Sequence, residues 1–178
     1  MILALLLCGC AHENAPMQQA LDFRASVLQA GCSFKARVTA SYDEQVFVFT
    51  LDCVYTPERG AEMTVLEPQS LAGLRAACTA REAQIEYDGA VFGLDVLDDG
   101  APAPMQLPLL LGQSWCSAYI AAAGAAENGW RMSCDVGYED DALRVDTWFT
   151  ESGLPEYCEI AADGKMLLCA QLYEFQLN

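Results

Sequence analysis

His12 is the only imidazole in the 178-residue chain, and it stands in a polar stretch, AHENAP at 11–16, that no core can position. A serine or cysteine nucleophile backed by histidine is therefore out of reach, and so is a His-ligated metal. GQSWC at 112–116 lacks the second glycine of a nucleophile elbow. Carboxylates are the remaining acid and base candidates: Asp95 with Asp98 and Asp99, and Glu139 with Asp140 and Asp141. Such clusters could in principle hydrolyse a glycoside or hold a cation, but both coincide with expected turns, where acidic side chains are simply solvated. Beyond the N-terminal pair, cysteines occur singly at 32, 53, 78, 116, 134, 158 and 169, with no CxxC and no neighbouring histidine. Zinc spacings and the thioredoxin-type motif are thereby excluded. Their odd number and their places within apolar strand patterns predict reduced, buried thiols acting as small hydrophobes. The sequence thus reads as a non-enzyme with no catalytic residue, no metal site and no cofactor.

The N-terminal pair has a different chemistry. The six apolar residues from Ile2 to Leu7 in MILALLLCGCAHENAP are far fewer than the ~20 of a membrane-spanning helix. They also fall short of the ~7 to 15 of a signal-peptide core, and no basic residue precedes them. Leu7-Cys8-Gly9-Cys10 resembles a bacterial lipobox, with Gly9 as the small residue before cleavage and Cys10 as the lipid-bearing residue. Residues 1–9 then form an incomplete lipoprotein signal peptide, with the missing basic start expected upstream of Met1, and 10–16 form a lipidated tether. The expected location is extracytoplasmic, anchored to a bacterial membrane by the multiple acyl chains that stable attachment needs.

About 160 residues remain, enough for one domain with a hydrophobic core. With 9 basic and 25 acidic residues the net charge is −16, a field that repels phosphate backbones and anionic headgroups. Nucleic acid is excluded as a partner. Membrane attachment must come from the lipid rather than from surface charge.

PMQQALDFRASVLQAG predicts a helix over 17–30, with Ala20, Leu21, Val27 and Leu28 recurring at roughly helical spacing beside Phe23. From residue 32 the period changes to two. Trp130, Met132, Cys134, Val136 and Tyr138 alternate with polar residues, as do Leu143, Val145, Thr147 and Phe149, the pattern of an antiparallel sheet wet on one face. Turn signals such as Asp88-Gly89, Asn128-Gly129, Asp140-Asp141 and Asp163-Gly164 separate these runs. Strands are expected at 32–41, 45–56, 61–66, 72–79, 82–87, 90–96, 117–123, 130–138, 142–150, 155–162 and 165–176, about eleven, and so many twisted strands must curl. The Pro-flanked, leucine-rich segment at 102–115, ended by Gly112, is expected to lie as a short helix in the concave side, with Leu107, Leu110 and Leu111 on one face. The fold class is mainly β with helices: a curved antiparallel sheet or incomplete β-barrel of about eleven strands with an N-terminal helix and a short central plug helix. The helix, the plug and the lipobox argue against a transmembrane barrel.

Three stretches, MTVLEPQSLAGL at 63–74, IEYDGAVFGL at 85–94 and DTWFTESGLPEYCEIAADGK at 146–165, together with this element pattern, resemble bacterial lipoprotein-sorting proteins of the LolA/LolB class, including GerS-type germination lipoproteins. The resemblance spans 17–178, taken as one LolA-like half-barrel domain. It implies an incomplete barrel whose oily hollow receives an acyl chain, a lipid or a lipoprotein. The alternation and the leucine-rich segment themselves give the expected lining, Leu107, Leu110, Leu111, Trp130, Met132, Val136, Tyr138, Val145 and Phe149, and because bulky apolar side chains on a curved sheet need a cover, the breaker-flanked residues 107–111 are expected to act as a displaceable plug. The alternative is a scaffold that docks an envelope protein and regulates a cell-wall enzyme, with no lipid ligand.

Overall fold

The structure is a computed structural model that describes residues 15–42, 45–79, 81–95, 103–137 and 142–178. Helix α1 (Ala15–Ala30) is followed by β1 (Cys32–Tyr42), β2 (Gln45–Thr56), β3 (Gly60–Glu67), β4 (Arg75–Cys78), β5 (Glu82–Tyr87) and β6 (Ala90–Asp95). A 3-10 turn (Pro104–Gln106) leads into α2 (Leu107–Cys116), and then come β7 (Tyr119–Ala126), β8 (Gly129–Val136), β9 (Leu143–Thr150), β10 (Pro155–Ala162) and β11 (Lys165–Leu177). The eleven strands form one antiparallel sheet in the order β6-β5-β4-β3-β2-β1-β11-β10-β9-β8-β7. Two meanders are thus joined through their first and last strands, with Ala36 opposite Leu172 and Val38 opposite Ala170. Tight turns set the register of each arm. Asp88 and Gly89 (φ 49° and 76°) and Asp163 and Gly164 (φ 50° and 73°) take the paired positive φ angles that suit a two-residue hairpin loop.

Alternation sorts the side chains as the sequence implies. Phe34, Ala36, Val38, Leu51, Cys53, Met132, Cys134, Val145, Phe149, Ile160, Leu168 and Ala170 fill the concave face, each nearly or fully buried. On the convex face of β8 and β9, Arg144 pairs with Asp135 at 2.6 Å, Ser133 donates to Asp146, and Arg131 lies over the Trp148 ring at 5.6 Å. Six of the seven body cysteines are buried and Cys169 is half-buried, all as free thiols.

The position of α2 follows from this strand order. Because β6 and β7 lie at opposite edges of the sheet, the chain between them has to cross from one arm to the other. It does so over the concave face, where α2 packs on β2 and β3 of one arm and on β8 and β9 of the other. Leu107, Leu111 and Trp115, spaced by four, are completely buried along its inner stripe, and each such side chain contributes roughly 1.5–3 kcal/mol or more.

Several expectations need adjustment. The helix begins at Ala15 rather than at 17, with Pro16 in its first turn, where a missing N–H costs nothing. Its inner face carries Ala20, Phe23, Arg24 and Val27, whereas Leu21 and Leu28 are each 45% exposed. The expected strand at 72–79 starts only at Arg75, because Pro68 to Gly73 make a turn in which Leu71 N–H donates to Pro68 O at 2.9 Å and Gly73 N–H returns to Val65 O at 2.9 Å. Gly112 does not end the helix. It sits inside α2 because the Tyr55 ring lies directly against its Cα, in the space a Cβ would need.

That contact makes a prediction. Replacing glycine by alanine inside a helix ordinarily gains up to about 1 kcal/mol, but Gly112→Ala drives a methyl into a nearly buried tyrosine ring, and overpacking costs about 1–3 kcal/mol. Thermal or urea unfolding is expected to show net destabilisation. A stabilised Gly112→Ala variant contradicts the packing.

Candidate functional site

The concave face of the sheet is lined by buried apolar side chains, and α2 occupies its centre. Two interactions hold that helix. Trp115 is fully buried, donates from Nε1 to Thr147 Oγ1 at 3.1 Å, and meets Phe23, Phe34 and Phe175 edge-on at 5.6, 5.6 and 6.0 Å. Arg24 of α1 reaches the end of α2 and donates to three carbonyls, Trp115 O at 3.1 Å, Ser114 O at 3.2 Å and Ala118 O at 2.8 Å. The last carbonyls of a helix lack partners within it and carry the negative end of its dipole, so one guanidinium there supplies both the donors and the charge. Sequence inspection misses Arg24, since its acceptors lie about ninety residues away; its one signal is its place on the inner face of α1 between Ala20 and Val27.

The expected liners come together, but in different settings. Leu107, Leu111, Met132, Val145 and Phe149 are at most 1% exposed, closed against one another by α2. Leu110 and Val136 are half-buried at the margin of this core. Trp130 stacks on Phe149 with centroids 3.8 Å apart and planes within 1°. It also walls an open cavity of about 470 Å³ between α1, the turn joining β9 to β10, and the end of β11. Phe23, Leu154, Phe175 and Leu177 supply most of the other apolar wall, and Asp22, Ser26 and Glu151 the polar rim. A second hollow of about 300 Å³ lies on the convex face, where Asp52, Glu62 and Glu86 surround Arg75.

Burial pushes the Cys32 thiol up to about 12 and the Cys134 thiol to about 11, and raises Cys53 and Cys158 further. Thiolate, the nucleophilic form, is therefore scarce at neutral pH. Among the described residues no group of His, Cys, Asp and Glu side chains is arranged to hold a metal ion, and no helix is long and apolar enough to cross a membrane. Cys10, His12, Tyr138, Asp98, Asp99 and the acidic cluster at 139–141 lie outside the described residues, as do the turns at 43–44 and 140–141; Asp95 closes β6.

No family model matches the chain, and no curated protein matches it in sequence. Solved structures do. An uncharacterized conserved protein of Thermus thermophilus superposes with a TM-score of 0.51 at 13% identity, covering 91% of this chain and 87% of its own. A domain described as an outer membrane lipoprotein-sorting protein, from Vibrio parahaemolyticus, gives 0.51 at 7% identity over 92% of each chain. A LolA superfamily protein of Nitrosomonas europaea gives 0.49 at 10% identity over 90% of this chain and 93% of its own. At such identities the likeness is one of fold alone, that of an open antiparallel sheet with two helices.

The Arg24 contact is testable. Arg24→Met keeps an unbranched stem but leaves two carbonyls of the last turn of α2 and that of Ala118 just beyond it without their donor, at an expected cost of roughly 2–4 kcal/mol. Arg24→Lys, a point donor without the planar fork, recovers only part of it. Urea unfolding checks this; two variants as stable as wild type contradict the contact.

Proposed function

We propose that the protein is a non-enzymatic extracytoplasmic lipoprotein, held at a bacterial membrane through a lipid on Cys10, that takes an acyl chain or lipid into its half-barrel. The observation that carries this reading is the open, largely apolar cavity beside α1 in a fold shared with a lipoprotein-sorting domain. Its volume of about 470 Å³ falls in the ordinary range for small-molecule pockets. In this reading the chain lies against Trp130, backed by Phe149, while Leu107, Leu110 and Leu111 of α2 with Met132, Val136 and Val145 form the packed floor. The cover keeps its place: each buried leucine displaced forfeits roughly 1.5–3 kcal/mol, and Arg24 and Trp115 hold the rest of the helix. Residues 10–16 serve as the tether, and 17–178, with α1 reaching back to Ala15, as the single binding domain.

A second reading, a scaffold that docks an envelope protein, is favoured by the sheet edge. β6 is an edge strand, and its Val91 and Phe92 are each 56% exposed, an arrangement suited to an added strand from a partner.

Titration with an environment-sensitive fluorescent fatty acyl probe separates the two. Saturable one-to-one binding is expected for the lipid holder, and native mass spectrometry should find a lipid retained on the purified protein. No probe binding, with a second polypeptide retained instead, replaces the first reading by the second. Metabolic labelling with a fatty-acid analogue should tag wild type and fail on Cys10→Ala; equal labelling of both removes the anchor.

A further inference from the structure

The open sheet ends in β6 on one side and β7 on the other, and the two edges are built differently. At β7 the pairing with β8 shifts register between Ile120 and Ala122, and α1 packs beside the strand. A bulge and a covering helix are two of the ways in which native proteins keep an edge from recruiting another strand. At β6, AVFGLD, the pairing with β5 runs in register from Tyr87 opposite Ala90 to Glu82 opposite Asp95, and the strand holds no bulge, proline or lysine. Among the described residues no strand pairs with its outer side, so alternate N–H and C=O groups along that side lack ladder partners. The concave face at this edge is apolar. A row runs from strand to strand through Met63, Ala76, Ile85 and Phe92, and its cover fades outward: Met63 and Ala76 are buried, Ile85 is half-buried and Phe92 is 56% exposed. The convex face is acidic. Glu82, Gln84 and Glu86 stand exposed along β5, and Glu86 joins Asp52 and Glu62 around Arg75 in the convex hollow, with Arg81 in the turn before β5. Between this row and the edge comes Gly93, opposite Gln84, with nothing within 4 Å of the place its Cβ would take.

We propose that β6 takes up an extended segment of a protein partner as an added strand, one that alternates apolar residues beside Phe92 with lysine or arginine beside Gly93. The inference rests on the second, partner-docking reading and names the partner's chemistry; it is independent of whether the cavity beside α1 carries a lipid. Main-chain bonds to the outer side of β6 supply the attachment, and the two faces select the sequence. On the concave face an apolar side chain of the added strand extends the row that Phe92 now ends and covers its exposed ring. On the convex face the added strand stands two strand spacings, roughly 10 Å, from β5. A long basic side chain crossing the bare Gly93 and a glutamate reaching out from β5 close that distance together, so Glu82 and Glu86 meet the partner's cations. A second copy of this chain is the poorer occupant, since β6 against β6 brings two such acidic rows onto one face in a chain of net charge −16.

The test titrates the purified protein, labelled with nitrogen-15, with a short blocked peptide of alternating valine and lysine and with two controls: the same peptide with glutamate for lysine, and one of the same composition with valines and lysines in separate blocks. The alternating basic peptide is expected to slow hydrogen exchange at alternate amides of β6, those facing away from β5, and at none in β7. It should bind more tightly than either control, by about tenfold over the acidic one at low salt, and weaken as salt is added. Gly93→Lys sets a cation on the edge at a position with room for a side chain and should weaken the basic peptide at least about tenfold. Glu82→Gln with Glu86→Gln, both at exposed positions, should weaken it several-fold and flatten its salt dependence. Equal protection of β6 by the basic and acidic peptides overturns the basic partner and leaves the docking reading standing. If no peptide protects β6, or if Gly93→Lys binds like wild type, the inference falls together with β6 as a docking edge. A wild-type dimer in sedimentation that Gly93→Lys abolishes assigns the edge to a second copy and overturns the proposal as well. The exchange pattern of the wild-type protein decides between these outcomes whether or not the variants fold.

Discussion

The fold depends on how the C-terminus of α2 is accommodated inside it. With β6 and β7 at opposite edges of an open sheet, the connecting chain must cross the hollow, and it arrives with carbonyls that water would otherwise serve. Arg24 answers two of them, Ser114 O and Trp115 O, and the carbonyl of Ala118 that follows, at 2.8–3.2 Å. The same contact fixes α1 over the β7 and β8 end and seats Trp115 between Phe23, Phe34 and Phe175. A lysine offers one charge and no fork, and an apolar residue offers no donor at all, so an arginine at this point decides whether the two helices and the two arms of the sheet form one core.

From that constraint follows the division of the concave face into a closed centre and an open end. At the centre, Leu107, Leu111, Met132 and Val145 are packed to exclusion of solvent, and Gly112 lets the helix approach the Tyr55 ring. At the α1 end the packing stops at the stacked pair Trp130 and Phe149, and the remaining space is the cavity. The open space thus lies between α1, the turn joining β9 to β10 and the end of β11.

Much of the architecture was legible in the residues, for local reasons. Alternation and turn chemistry give β2 at 45–56 and β10 at 155–162 with the bounds the structure has, because both period and turn are properties of adjacent residues. What was not legible is non-local or a matter of shape. The pairing of β1 with β11 joins segments more than a hundred residues apart, and alternation carries no trace of a partner. The apolar periodicity of α1 includes Leu21 and Leu28, which stay 45% exposed, whereas the buried side takes the small Ala20 and admits Arg24 by its hydrogen bonds. Gly112 looked like a helix stop because a glycine that makes room for a ring and one that ends a helix are the same letter. The liners named from alternation do share a face, but which of them are sealed and which border a cavity depends on where α2 comes to rest.

Native-state hydrogen exchange at the amides of α2, compared with those of β1 and β11, tests most directly that α2 is a fixed beam and not a removable cover. For a fixed beam, amides from Leu111 to Cys116 exchange only with global unfolding, at the same free energy as those of Val38 and Leu168. Exchange of α2 through a separate, lower-energy opening while the central strands stay protected would contradict it.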